Sequence, residues 1–162
     1  MYRTEIIQGV NVMAKIYVAS SWRNQHQNSV VRACRALGYD VYDFKNPPNK
    51  SGFGWEQLDG NHKSWTPEQY IQLLSHDIAN QGYKADIDAL DECDICVLLL
   101  PCGRSAHLEA GYAIGQGKRT LIFISNEKFE PELMYKAADL ITHKIEDIYQ
   151  WLELYLKNKA TP

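Results

Sequence analysis

The sequence predicts one α/β domain with a doubly wound, flavodoxin-like (Rossmann-like) fold, in which helices cover both faces of a five-stranded parallel sheet. Short, nearly continuous apolar segments such as "KIYVAS" and "DICVLLL" are typical of strands buried on both faces of such a sheet. Segments of helical periodicity alternate with them, which is the pattern of βαβ units. The length of 162 residues suits a single domain with an ordinary core.

The first half of the chain predicts two strands and a long loop. Residues 15–20 form the first strand, and a helix over 24–37 ends at Gly38, a residue common just beyond helix ends. The second strand is 39–44. Residues 45–65 are rich in Pro, Gly, Asn and aromatic side chains without a period, which predicts a binding loop or a lid.

The second half predicts further alternation of helices and strands. Thr66 and Pro67 are an N-cap and a first-turn proline, and they begin a helix that runs toward Asn80. A further helical segment, 83–93, leads to the third strand, 94–100. The remaining elements are a helix over 105–116, a strand over 119–124, a short helix over 131–138, a strand within 138–144 and an amphipathic closing helix over 145–158.

Composition limits the function classes. Hydrophobic residues make up 45% and charged residues 23% of the chain, which is typical of a globular protein. The net charge of −3 gives no basic footprint for nucleic acid. The longest apolar stretch, 95–101, is too short to cross a membrane, and no signal peptide is evident, so we expect a cytoplasmic protein. Residues 1–13 are interpreted as an N-terminal extension or alternative start before a domain over 14–162.

Cysteine spacing gives little sign of a metal site. Cys93 and Cys96 form a CxxC motif, but no second CxxC or His pair stands at zinc spacing. With Cys34 and Cys102, they are interpreted as free, reduced thiols. We therefore predict no metal.

Two acids are candidates for chemistry at the carboxyl edge of the sheet, where ligands bind in open α/β folds. Glu109 is the one acid in residues 101–124, set among small and apolar residues near a helix start. It is either an acid favoured by the helix dipole or a nucleophile or base in a partly desolvated cleft. Asp86 precedes the third strand and is either a solvated helix acid or the second member of a carboxylate pair suited to glycosidic chemistry.

The turn before Glu109 has the composition of an anion-binding loop. Gly103 and Ser105 let backbone N–H groups approach an anion at a helix N-terminus, and Arg104 is a possible phosphate partner. The alternative is an ordinary strand-to-helix turn with a solvated arginine.

Three segments resemble the nucleoside 2-deoxyribosyltransferase superfamily, which includes the 2'-deoxynucleoside 5'-monophosphate N-glycosidases. They are "KIYVASSWRN", "ADIDALDECDICVLLLP" and "SAHLEAGYAIGQGKRTLIFI", and the resemblance covers roughly residues 14–125. Its most specific element is Glu-x-Gly-x-Ala followed by Gly-Lys before a strand. Here those positions are Glu109, Gly111, Ala113, Gly117 and Lys118.

The resemblance implies roles for individual residues. Glu109 matches the nucleophile that attacks C1' of the sugar, and Asp86 matches the acid that assists proton transfer or sugar binding. The loop that lines the base and sugar site matches Tyr17, Ser20, Ser21, Trp22 and Arg23, and Ser21-x-Arg23 fits the nucleotide-holding spacing of the monophosphate branch. No organic cofactor or metal is implied.

The sequence departs from the transferases just before the nucleophile. They often carry another acid six residues earlier, where this chain has Gly103. Arg104 and Ser105 in this stretch favour an anionic substrate, hence a nucleotide over a nucleoside. His107 is either an acid–base group or a pocket-lining residue.

Aromatic residues leave several roles open. Trp22, at a strand end, is expected to stack on a base. In the long loop, Phe53, Trp55 and Trp65 either stack on a base or anchor the loop. The final helix carries Tyr149, Trp151 and Tyr155, which are expected to pack internally or between subunits.

The expected function is cleavage or transfer of the N-glycosidic bond of nucleosides or nucleoside 5'-monophosphates. A non-catalytic nucleotide-binding or regulatory module and an NAD-glycohydrolase are the alternatives. The partner is a small nucleoside or nucleotide, with no nucleic acid or membrane, and the resemblance implies a homodimer or higher homo-oligomer.

Overall fold

The computed structural model describes residues 13–48, 52–125 and 129–160. Residues 1–12 of the predicted extension lie outside these ranges. The described strands form one sheet in the order β2-β1-β3-β4-β5, with every pair parallel. They are β1 (Lys15–Ala19), β2 (Asp40–Tyr42), β3 (Ile95–Leu100), β4 (Arg119–Ile124) and β5 (Leu140–Thr142). This order confirms the predicted flavodoxin-like sheet.

Helices cover both faces of the sheet, as predicted. They are α1 (Gln27–Ala36), α2 (Pro67–Leu73), α3 (Asp77–Glu92), α4 (Arg104–Gly115) and α5 (Ile145–Ala160). On one face, α1 and α5 pack through side chains such as Val30 and Leu152. On the other face, α3 and α4 pack through Leu90, Ala106 and Ala110. Burial of these apolar side chains against the sheet is the main source of the fold's stability.

The switch point of the sheet lies between β1 and β3. The chain passes from β1 to β2 on one side and from β3 to β4 on the other, so the connections diverge and leave a crevice at the carboxyl ends. The parallel register places Tyr17 of β1 beside Tyr42 of β2 and beside Cys96 of β3. Side chains on the α3–α4 face of these strands therefore reach the crevice.

The break between the second and third helices differs from the prediction. The helix that begins at Pro67 ends at Leu73 rather than near Asn80, and α3 runs without interruption to Glu92. The His76 side chain accepts a hydrogen bond from the Ile78 N–H at 3.2 Å, which caps the new helix start. The predicted Thr66 cap is confirmed, because its side chain and that of Gln69 form a reciprocal capping box.

Irregular segments contain short 3₁₀ turns. Two of them, Trp55–Gln57 and His62–Ser64, lie in the loop predicted over 45–65, and the short helix predicted over 131–138 is the 3₁₀ helix Leu133–Ala137. The four cysteines are free, and three of them are buried. Within the described ranges no helix has the length and apolarity to cross a membrane.

Candidate active site

A cavity of about 970 Å³ opens at the carboxyl edge, beside the ends of β1 and β2. Helices α3 and α4 and the loop after β2 complete its walls. The lining includes both predicted catalytic acids, and its side chains come from four separate segments of the chain. These side chains include Ser20, Trp22, Tyr42, Phe44, Lys45, Phe53, Trp55, Glu56, Gln57, Ile78, Gln81, Asp86, Ser105 and Glu109. The fold thus brings Glu109 and Asp86 to one cleft, as the sequence predicts.

Glu109 lies on the second turn of α4, between exposed Leu108 and buried Ala110. Burial raises the pKa of its carboxyl to about 7, and the negative charge of Asp86 acts in the same direction. The Tyr17 hydroxyl opposes this shift. The sequence does not determine whether burial, which raises the pKa of Glu109, or the helix dipole, which lowers it, has the larger effect. In the structure burial has the larger effect.

Asp86 lies on α3 and is partly buried. Its Oδ1 accepts a hydrogen bond from the Tyr42 hydroxyl at 2.8 Å. Burial raises the pKa of Asp86, and the Tyr42 hydrogen bond lowers it. The carboxyl group of Asp86 is therefore partly removed from water and accepts one hydrogen bond, from the Tyr42 hydroxyl.

Tyr17 is wholly buried beneath the two acids. Its ring stacks on that of Tyr42, with centroids 5.2 Å apart and planes 18° apart. The Tyr17 hydroxyl meets no partner at hydrogen-bonding distance and angle within the described residues, although it is near enough to Glu109 to lower the pKa of that group. A buried hydroxyl without a partner is costly, and a bound ligand or water can satisfy it.

Other predicted binding residues also reach the cavity. The Ser20 hydroxyl lines it while donating to the Leu99 carbonyl at 3.1 Å. Trp22 is 54% exposed and meets Phe44 edge to face, with centroids 5.6 Å apart. A Cβ atom at Gly52 would lie 2.6 Å from the Trp22 ring, so the long loop passes directly against the indole. Trp22 and Phe44 are an apolar wall suited to a flat ring.

Several predicted binding residues lie off the cavity wall. Arg23 and Arg104 are exposed, and Ser21 accepts a hydrogen bond from the Arg23 N–H in the turn after β1. His107 binds the Gly103 carbonyl at 2.8 Å and the Tyr135 hydroxyl at 2.7 Å. These contacts give His107 a structural role in joining α4 to the 3₁₀ helix.

Sequence reasoning missed Tyr42 and did not separate the roles of the loop aromatics. The signal for Tyr42 was its place at the end of a strand at this edge. Phe53 and Trp55 line the cavity and pack edge to face at 4.9 Å. Trp65 packs against Trp55, and its indole N–H donates to Asp59 at 2.7 Å, so it anchors the loop. Lys45 is the basic residue among the described lining residues.

The aromatic residues of α5 belong to the core. Tyr149, Trp151 and Tyr155 pack against the cluster on the α1–α5 face, far from the cavity side of the sheet. Trp151 and Tyr155 stack at 5.4 Å. Within the described ranges, no group of three His, Cys, Asp or Glu side chains is arranged to hold a metal ion.

Three solved structures share the architecture of this chain. A 2-deoxyribosyltransferase from Bacillus psychrosaccharolyticus superposes with a TM-score of 0.62 at 20% identity, over 84% of this chain and 90% of that one. A CMP N-glycosidase from Clostridium botulinum gives a TM-score of 0.51 at 16% identity, over 86% and 98%. A conserved protein from Enterococcus faecalis gives 0.57 at 16% identity, over 88% and 99%.

The chain shares its fold with these three proteins. No protein-family model and no curated protein sequence matches it. In this fold, the chain places two partly buried carboxyl groups and an aromatic wall in one cleft at the switch point. Such a cleft can hold a flat ring beside a carboxylate.

Proposed function

We propose that this chain is an enzyme that cleaves or transfers the N-glycosidic bond of nucleosides or nucleoside 5'-monophosphates. The observation that carries the proposal is the placement of Glu109 and Asp86 in one cavity at the switch point of a deoxyribosyltransferase-type fold. A 2-deoxyribosyltransferase and a CMP N-glycosidase share this fold. Both act on an N-glycosidic bond, which supports the same kind of bond as the target of this chain.

Glu109 is the nucleophile in this proposal. Its ionised carboxylate forms a bond to C1' of the sugar while the C1'–N bond breaks, and the bonding electron pair leaves with the base. The departing base takes up a proton. Water or a second base then attacks C1', and Glu109 is released as a carboxylate. Burial leaves the carboxylate poorly hydrated, which makes it a stronger nucleophile than an exposed acid.

Asp86 supports this chemistry from the neighbouring helix α3. Its partly buried carboxyl contacts a sugar hydroxyl or moves a proton to the leaving base. Trp22 and Phe44 hold the base by stacking, and Ser105, at the start of α4, contacts the 5' end of the sugar. No metal or organic cofactor takes part in this proposed mechanism.

A screen for released base tests the proposal. Nucleosides, nucleoside 5'-monophosphates and NAD are each incubated with the protein, and free base is measured by chromatography. Release from nucleosides or monophosphates supports the proposal, and release from NAD alone identifies an NAD-glycohydrolase. Binding of a nucleotide with no turnover on any substrate identifies a regulatory module.

We further propose that the active form of the protein is a homodimer or a higher homo-oligomer. Leu108, Leu133 and Met134 are each at least 70% exposed, and they adjoin His107 and Tyr135, whose side chains are in contact. Exposed apolar side chains of this size are candidates for burial in a subunit interface. Light scattering at micromolar concentration tests this, and an active monomer contradicts it.

A further inference from the structure

Tyr42 lines the cavity and has no role in the proposed glycosyl transfer. It ends β2, and its ring lies in register with Tyr17 of the neighbouring strand. Stacking of the two rings at 5.2 Å fixes the plane of the Tyr42 phenol. Because the Tyr17 ring beneath it is fully buried, the Tyr42 ring rests on a rigid support.

The hydroxyl of Tyr42 makes one specific contact. It donates to Oδ1 of Asp86 at 2.8 Å, and within the described residues Oδ2 of Asp86 accepts no hydrogen bond. An oxygen that already accepts the phenol proton is a poor site for a second proton. Any proton that Asp86 carries therefore sits on Oδ2, the oxygen left for the substrate.

The other ionisable groups around the carboxyl group of Asp86 come from several elements. Glu109 of α4 faces the same cavity, Tyr17 lies on β1, and Lys45 and Glu56 line the cavity from the loop after β2. Neither Lys45 nor Glu56 makes a hydrogen bond to Asp86 among the contacts of the described residues. The Tyr42 hydroxyl is the group that orients this carboxyl.

We propose that Tyr42 is a positioning residue, which fixes Oδ1 of Asp86 as an acceptor and so presents Oδ2 to the sugar or the leaving base. The effect of this role on catalysis rests on the proposed function, in which Asp86 acts on the substrate through one defined oxygen. The orientation itself is a property of the free protein and is measurable without turnover.

The test removes only the hydroxyl. In Tyr42→Phe the stacked ring remains, so we expect kcat to fall on the order of tenfold while the fold persists. Loss of the donor also raises the pKa of Asp86, so the limb of the kcat profile that depends on Asp86 moves to higher pH. In an Asp86→Asn background the Tyr42→Phe change should have little further effect on kcat, because the two side chains act as one unit.

Tyr39→Phe is the matched control. It removes a buried hydroxyl that donates to the Leu152 carbonyl at 2.8 Å on the opposite face of the sheet. We expect it to lower stability and to leave the pH profile unchanged. An equal effect of Tyr39→Phe and Tyr42→Phe on kcat and on the pH profile overturns the positioning role.

Carboxyl-carbon NMR titration separates this proposal from the proposed function. The pKa of Asp86 should be higher in Tyr42→Phe than in the unaltered protein, and unchanged in Tyr39→Phe. An unchanged titration of Asp86 in Tyr42→Phe overturns the positioning role whatever the activity. If the titration of Asp86 shifts but the protein releases base from no substrate, the proposed function is overturned. The positioning of Asp86 by Tyr42 is then still supported.

Discussion

The carboxyl groups of Asp86 and Glu109 line one cavity, and the charge of Asp86 adds to burial in raising the pKa of Glu109 to about 7. Two like charges in a poorly hydrated space resist simultaneous ionisation. The pair therefore keeps a proton to a higher pH than two exposed acids do. Such a pair is expected at a catalytic centre, where acids of perturbed pKa concentrate.

Replacement of the proposed nucleophile gives the most direct prediction. Glu109→Gln keeps the shape of the side chain and removes the attacking oxygen anion, so base release should fall by several orders of magnitude while substrate still binds. Chromatography of released base and a separate binding measurement check the two parts. Glu153→Gln, exposed on α5, is the control and should keep full activity.

A trapped intermediate gives the same prediction a second readout. A 2-deoxy-2-fluoro arabinosyl substrate should leave a sugar bound to Glu109, visible by peptide mass spectrometry. If Glu109→Gln keeps most of the activity on a confirmed substrate, Glu109 is an acid of the helix and not of the reaction.

The pH dependence follows from the raised pKa of Glu109. Attack needs the ionised carboxylate, so kcat/KM should rise with pH and level off above about 7. Asp86→Asn removes the neighbouring negative charge, so the pKa of Glu109 should fall and the rise should move to lower pH. Initial rates from pH 5 to pH 9 check both. A profile that is flat across pH 7 contradicts the role of Glu109.

Substrate charge provides a further prediction. We expect a 5'-monophosphate to be preferred over its nucleoside, with Arg104 and Ser105 at the start of α4 holding the phosphate. Loss of one charge-assisted contact in Arg104→Ala should lower kcat/KM for the monophosphate on the order of tenfold and leave the nucleoside unaffected.

The exposed Arg32 of α1 supplies the control for that experiment, and Arg32→Ala should change neither value. The placement of Arg104 off the cavity wall makes the comparison informative, because its side chain must turn inward to reach a phosphate. Equal kcat/KM values for the two substrates contradict a phosphate site.

The packing of the long loop against α3 predicts an effect on substrate binding. A Cβ atom at Gly82 of α3 would lie 2.9 Å from Cβ of Phe53, so Gly82→Ala should push the loop outward and raise KM several-fold. Gly115→Ala in α4 meets no atom within 4 Å and should leave KM unchanged. Steady-state kinetics with a confirmed substrate measures both. Equal KM values for the two variants mean that Phe53 does not shape the substrate site.

The alternation of apolar strands and periodic helices determined the architecture of this protein without any tertiary information. Strands such as β3 are buried on both faces and read as continuous apolar runs, so their number and parallel pairing followed from local pattern. The position of Glu109 at the carboxyl edge followed in turn, because parallel topology sends every strand-to-helix turn to that edge. The helix break near His76 did not follow, because it depends on a cap formed by the His76 side chain, and His is not among the usual N-cap residues.

Only the tertiary structure decided which other side chains join the two acids in the cavity and in which direction the pKa values of the acids shift. Tyr42 and Asp86 are 44 positions apart, and their hydrogen bond depends on the register of β2 with β1 and on the placement of α3. Arg104 and Ser105 are adjacent in sequence, yet one lies off the wall and the other on it, because successive helical residues point in different directions. The pKa of Glu109 likewise depends on burial and on Asp86, a neighbour that three-dimensional packing supplies.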